Sequence, residues 1–166
     1  MRTITILLLL LSTSTLTISQ VDKNTDLYKS LKVNDSLLFD RAFNYCESIH
    51  LEKLLSENFE FYHDQGGFEN SKAGFLQTMK NGICNPNNKT KSRRELVKGS
   101  LEVYPLNENG RLYGAIQKGI HKFYETPMGG KEQPGSIAKF THLWILEKDV
   151  WLLQRVLSYD HQASNK

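Results

Sequence analysis

The chain has 166 residues, 39% of them hydrophobic and 23% charged, with a formal net charge of +3. That balance is ordinary for a folded domain and excludes the strongly basic surface of a nucleic-acid or anionic-membrane binder. The length left after a leader fits one domain with a sizeable core and excludes a second.

Residues 1–19 read as a secretory signal. Arg2 supplies a positive n-region, residues 4–11 are almost wholly apolar, and small residues lead toward a cleavage site after Ser19. The apolar run is roughly half of the ~20 residues needed to span a bilayer, which makes a retained membrane anchor the poorer reading. No cysteine follows it, which argues against a lipidated N-terminus. The mature protein is expected to be soluble, secreted or periplasmic, and nearly neutral, since the leader carries only one charged residue, Arg2.

Residues 20–33 are polar and read as a flexible lead-in to a domain over 34–162, with 163–166 as a tail. Asn34, Asp35 and Ser36 are good N-caps, and apolar positions 38, 39, 42, 43, 46 and 49 keep the 3.6-residue period of a helix. HLEKLL at 50–55 prolongs that helix or starts another. FEFYH at 59–63 reads as a half-buried strand, and Gly66-Gly67 supplies the positive φ of a tight turn. The next helix is capped by Asn70 or Ser71 and repeats Phe75, Met79 and Ile83 at four-residue spacing, with Gly82 and Pro86 bracketing its end. The densest basic stretch, Lys89, Lys91, Arg93 and Arg94, reads as part of a solvated polar loop between this helix and the strands.

Four long strand-like runs follow at 95–106, 111–125, 136–147 and 151–162. Asn109-Gly110 is the strongest hairpin signal, residues 126–135 form a loop rich in Gly and Pro, and Lys148-Asp149 turns the third run into the fourth. Strands joined in sequence by turns predict an antiparallel meander; helices first and strands last predict an α+β domain. The two cysteines, Cys46 and Cys84, can form one disulfide in an oxidising compartment; alternatively Cys46, on the apolar stripe of its helix, is a small buried hydrophobe. Neither has the CxxC spacing of a redox or zinc site.

Residues two apart on a strand share a face. Tyr113, Gln117, His121 and Phe123 form one set, Phe140, His142 and Trp144 a second, and Trp151, Leu153, Arg155, Leu157, Tyr159 and His161 a third. Faces that mix aromatics with a few polar groups suit a small-molecule pocket and equally a dimer interface. Arg155 must be paired if its face is buried, by clamping a ligand carboxylate or by binding Asp64 or Asp160. His121 and His142 are candidates for ligand contact or for purely structural hydrogen bonds.

The helix order, the HDQGG turn at 63–67, and a terminal strand pair with Trp151 just past a tight turn resemble the nuclear transport factor 2-like superfamily, in particular its SnoaL-like and uncharacterised bacterial branches. The resemblance covers 34–162. It implies a cone-shaped α+β fold, with a curved antiparallel sheet wrapped around N-terminal helices, and frequent homodimerisation. It also implies an acid or base at the end of the first strand, here His63 or Asp64. A histidine titrates near neutrality, whereas Asp64 needs partial burial to do so, and Asp64 with Gln65 can serve simply to shape the turn. The steroid-isomerase pattern requires a tyrosine and a carboxylic acid at positions that fall near Ala42 and Thr141, so that reaction is not expected. A dehydratase-like set survives better, with Tyr45, His63, His121 and His142 around the pocket.

No cofactor is expected, and no HExxH-type spacing marks a metal site, although His63-Asp64 and Asp160-His161 can converge. Without a glycine-rich phosphate loop or a GxSxG motif, nucleotide chemistry and serine hydrolysis have little support from sequence. Asn34-Asp-Ser and Asn88-Lys-Thr are formal glycosylation sequons. Three functions stay open. One is an exported protein that binds a small, partly apolar metabolite, with Tyr45, His121, His142, Trp144, Arg155 and Tyr159 as candidate contacts. Another is a cofactor-free lyase or isomerase with His63 or Asp64 as base. The third is a dimerisation or protein-interaction module.

Overall fold

The computed structural model describes residues 19–164, so the leader read at 1–19 lies, Ser19 apart, outside the described residues, as does the end of the tail. No helix among the described residues is long and apolar enough to cross a membrane. Thr25 starts the first helix: its hydroxyl accepts the Tyr28 N–H at 3.3 Å, and Asp26 sits in the first turn, where unpaired N–H groups favour negative charge. Helix α1 (Asp26–Ser36) therefore begins well before Asn34, inside the stretch expected to be a loose lead-in. Its buried stripe is only Tyr28, Leu31 and Asp35, too polar a pattern to stand out by hydropathy. The helix runs on without a break into a π-helical segment (Leu37–Phe43), and α2 (Ser48–Leu54) follows after Cys46, which takes a positive φ of 60°.

Strands β1 (Leu55–His63) and β2 (Gly67–Glu69) pair as a short hairpin, which Gly67 permits at φ 85°. Helix α3 (Lys72–Asn81) is capped by Ser71, whose hydroxyl accepts the Gly74 N–H at 3.1 Å. The basic stretch beyond it is not a loop. It forms β3 (Thr90–Leu96), which pairs with the far end of β5 (Arg111–Pro127), and Arg94 is buried. The run expected at 95–106 is broken around Gly99, at φ 85°, and resumes as β4 (Glu102–Glu108) on the same edge of β5. Strands β6 (Gln133–Glu147) and β7 (Val150–Ala163) complete the meander.

The strand order is β2-β1-β7-β6-β5-β3, with β4 also on β5. Neighbours are antiparallel throughout except β1 and β7, which run parallel, so the sheet is mixed rather than wholly antiparallel. Hairpin turns dictate antiparallel neighbours, but β1 and β7 are separated by most of the chain and no turn fixes their sense.

Strand β7 carries two irregularities that matter for the site. Trp144 pairs with Leu153 while Leu143 pairs with Arg155; Lys139 pairs with Tyr159 while Ile137 pairs with Gln162. Each inserts one extra residue into β7, the second at Asp160 with φ 59°, and each inverts the in–out alternation. Leu153, Val156, Ser158 and His161 consequently face inward. Arg155, Leu157 and Tyr159, expected on the same face as Leu153, point outward. The helices cover the inner face, with Leu31, Phe59, Val103, Ala115 and Trp144 fully buried between the layers.

Candidate functional site

Between the helices and the inner face of the sheet lies a cavity of about 370 Å³. Phe39 and Phe43 reach it from the π-helical segment, Phe59 and Phe61 from β1, Phe75 and Met79 from α3, and Phe123 and Phe140 from β5 and β6. The polar side chains of the lining are His63, His121, His142 and His161, with Gln65, Thr78, Ser92, Glu125, Ser136 and Ser158. Among the described residues, no lysine or arginine lines the space.

Two of the histidines are sealed in, and their partners fix their protons. The Trp144 indole N–H can only donate, and it donates to Gln117 Oε1 at 2.8 Å; the Gln117 amide nitrogen donates to the Leu31 carbonyl at 3.0 Å. His142 Nδ1, 3.1 Å from the same Gln117 oxygen, must therefore be protonated, which leaves Nε2 as a bare acceptor. Arg94 Nε likewise can only donate, and it points at His121 Nδ1 at 3.4 Å, so the His121 proton is on Nε2. Both Nε2 atoms are buried with no hydrogen-bond partner among the described residues. Burial, reinforced by the Arg94 charge, pushes His121 down to about 2 and His142 down to about 3, and both rings are neutral across the physiological range. The two rings thus carry, just beneath the cavity surface, one neutral donor and one neutral acceptor without a partner among the described residues.

A second cluster closes the hairpin end. The Asp64 carboxylate accepts from the His161 ring Nδ1 at 2.5 Å and from the His161 backbone N–H at 3.1 Å. Burial works against the Asp64 charge, but these bonds and the neighbouring imidazoles outweigh it and hold the carboxyl below its ordinary range. His63 stacks on His161 with ring centres 4.3 Å apart. Its Nδ1 accepts the backbone N–H groups of Gln65 and Gly66 at 3.1 and 2.9 Å. Burial and the facing His161 lower the His63 pKa.

His63, Asp64 and His161 bring three potential metal ligands within 4.8 Å. The arrangement nonetheless fits a hydrogen-bonded cluster better than a metal. The two imidazole planes lie within 16° of parallel, so their in-plane lone pairs cannot converge on one ion, and His63 Nδ1 is already engaged.

No protein-family model matches the sequence, and no curated protein sequence matches it significantly. Solved structures do. A nuclear transport factor 2-like superfamily protein from Salmonella enterica serovar Typhimurium superposes with a TM-score of 0.59 at 14% identity, covering 83% of this chain and 91% of that one. This chain has the nuclear transport factor 2-like fold. A nuclear transport factor 2-like protein of unknown function from Pseudomonas putida gives a TM-score of 0.60 at 11% identity, over 78% of this chain and 83% of that one. A putative calcium/calmodulin-dependent protein kinase II association domain from Xanthomonas campestris gives 0.63 at 13%, over 84% and 91%. At such identities the likeness is one of fold, and fold does not carry chemistry.

Within this nuclear transport factor 2-like cone the expected contact residues divide. His63, His121 and His142 line the cavity; Asp64 stands behind His161 rather than in the wall. Trp144 faces inward but is wholly buried beneath the cavity, bonded to Gln117. Tyr45 is 68% exposed beside Arg41, away from the cavity. Arg155 is paired on the outer side, with Glu60 at 2.6 Å and the Asn58 carbonyl at 2.7 Å, and not with Asp64, Asp160 or a cavity ligand. Tyr159 lies on the outer face near Thr141. Cys46 and Cys84 form a disulfide, with Cα atoms 5.6 Å apart. Sequence reasoning missed Ser158 and Val156, because nothing in the run at 151–162 marks the bulges that turn them inward.

Proposed function

We propose that this chain binds a small, uncharged, mostly apolar molecule in the cavity of its cone. The observation that carries the reading is an aromatic-walled cavity lined in part by His121 and His142, whose buried Nε2 atoms have no partner among the described residues. A buried polar atom without a partner costs about 1–3 kcal/mol, and a ligand carrying an acceptor and a donor relieves that cost at both. Aromatic walls supply affinity, and the absence of lysine and arginine from the lining among the described residues disfavours anionic ligands. The reading includes export: the Cys46–Cys84 disulfide is in keeping with an oxidising compartment.

The test is thermal unfolding of the leader-free protein against small hydroxy-carbonyl and phenolic compounds. A binder at about 100 times its Kd adds roughly 2.7 kcal/mol and raises the midpoint by several degrees. Ile83→Phe, which fills the cavity from its wall, should abolish the shift; a flat result across the series would remove the reading.

Self-association is a second, compatible reading, carried by an exposed apolar cluster on the outer face. Tyr62, Phe68, Leu157 and Tyr159 lie together there, each about 40% exposed or more. That neighbours by fold include a putative calcium/calmodulin-dependent protein kinase II association domain is in keeping with it. Light scattering on the intact protein and on Leu157→Glu tests it: the wild type should have the mass of a dimer and the variant that of a monomer.

A further inference from the structure

Ser158, His161 and Asp64 stand in line. The Asp64 carboxylate holds the His161 ring at Nδ1, and Ser158 Oγ lies 3.4 Å from His161 Nε2. An ionised carboxylate only accepts, so the His161 proton is on Nδ1 and the Nε2 lone pair faces the Ser158 hydroxyl. Ser158 and His161 both line the cavity, and their side chains are almost fully buried. Among the described residues, the Ser158 hydroxyl has no other hydrogen-bond partner, so the fold makes no separate structural use of it.

We infer that Ser158 is a nucleophile for acyl transfer, with His161 as its general base and Asp64 as the group that orients His161, acting on small uncharged esters. The inference rests on the reading of the cavity as a small-molecule pocket. Such a relay is defined by geometry and roles rather than by a local motif, so the missing GxSxG does not bear on it. A Ser–His separation of 3.4 Å is on the long side, as is usual before substrate tightens the contact. Two lining side chains next to His161 carry N–H groups that could serve a developing oxyanion. One is His63, stacked on His161, whose Nδ1 is occupied by backbone N–H groups and whose proton is therefore on Nε2; the other is the Gln65 amide, one N–H of which donates to the His161 carbonyl at 3.5 Å and leaves the second free. Among the described residues the lining has no lysine or arginine to meet an anionic substrate, and its phenylalanines suit a short alkyl or aryl acyl group.

The steps balance without a cofactor. Ser158 Oγ attacks the ester carbonyl carbon as its proton passes to His161 Nε2. The tetrahedral intermediate collapses, and the bond to the alkoxy oxygen breaks. That oxygen takes the proton from His161 and leaves as an alcohol. Water, deprotonated by His161, then attacks the acyl-serine; the carboxylic acid departs and Ser158 recovers its proton.

The test uses the intact leader-free protein with a short-chain alkyl fluorophosphonate, peptide mass spectrometry to locate the adduct, and hydrolysis of p-nitrophenyl acetate, butyrate and benzoate. The expected result is a single adduct on Ser158, absent in Ser158→Ala and slowed on the order of 10⁴-fold in Asp64→Asn. Because the described residues contain no free cysteine, Ser158→Cys gives an independent readout. Its thiol, paired with His161, should react with iodoacetamide at pH 6 at least about tenfold faster than a free thiol. Absence of a Ser158 adduct, or a thiol of ordinary reactivity, in protein whose midpoint still rises with cavity ligands overturns the nucleophile and leaves the binding reading standing. Absence of both adduct and midpoint shift overturns the two together.

Discussion

The Asp35 carboxylate receives both terminal nitrogens of Arg94, at 2.8 and 3.0 Å, with each side chain almost wholly buried between α1 and β3. The third nitrogen of the same guanidinium fixes the His121 tautomer, and its central carbon lies 3.8 Å from the centre of the Phe39 ring. The pair therefore links the core to the cavity wall. Removing one member strands the other charge in a low-dielectric interior, so Arg94→Met should cost about 3–5 kcal/mol in urea unfolding. Adding Asp35→Leu to it should recover about half or more of the loss, since a well-packed apolar pair avoids the desolvation cost. A double variant no more stable than the single would show that the cation–aromatic contact, not the charge pair, is what the site depends on.

Stability should fall in mild acid, and the sign follows from the two sealed histidines. His121 is pushed to about 2 and His142 to about 3 in the folded protein, against 6.5 in the unfolded chain. Between those values the unfolded chain binds protons that the folded one refuses, so their contribution is intact above pH 6.5 and is lost progressively below it. Together they should remove about 4 kcal/mol between pH 7 and pH 5, on the order of 10 °C in midpoint. His63, whose pKa is also lowered, acts in the same direction. Unfolding curves at pH 7, 6 and 5 measure the slope. His121→Gln with His142→Gln should flatten it, and an equal slope in that variant would place the acid sensitivity elsewhere.

The sequence makes the general architecture legible because periodicity and turn residues report on local structure. Phe75 and Met79 mark α3, with Ile83 just past its end, Asn109-Gly110 marks the β4–β5 turn, and Phe140, His142 and Trp144 do share the inner face. What it hides depends on tertiary partners. Helix α1 buries an acid, Asp35, and β3 buries a base, Arg94, and each looks solvated until the other is placed beside it. In β7 the alternation reads as unbroken from Trp151 to His161, whereas two added residues turn Arg155 and Tyr159 outward and Ser158 inward. His161 returns to the inner face only because the second insertion cancels the first. Bulges depend on pairing with β6, and no residue type along this strand announces them.

Close packing beneath the cavity gives a sharper test of its shape. A Cβ added to Gly119 would lie 2.8 Å from the Phe140 ring, so alanine there must move that ring. Phe140 borders the cavity and packs against the rings of both His121 and His142, 5.1 and 4.5 Å away. The open space beside it lets the ring move, so Gly119→Ala should cost about 1–2 kcal/mol. Ligand-induced midpoint shifts should shrink in parallel. Full ligand response in a destabilised Gly119→Ala protein would mean that ligands sit away from Phe140, at the hairpin end.

The Cys46–Cys84 disulfide closes a segment of 38 residues that contains α2, β1, β2 and α3. By loop-closure entropy such a crosslink contributes about 3–4 kcal/mol, so a reductant should lower the unfolding midpoint by roughly 10 °C. The bond also ties the end of α3, where Thr78, Met79 and Ile83 line the cavity, to the segment that carries Phe43. Loss of the crosslink should therefore weaken ligand response at temperatures well below unfolding, not only shift the midpoint. Cys46→Ser with Cys84→Ser should reproduce both effects and be indifferent to reductant. A double variant as stable as the oxidised wild type, with unchanged ligand response, would show that packing alone holds α3 against the cone.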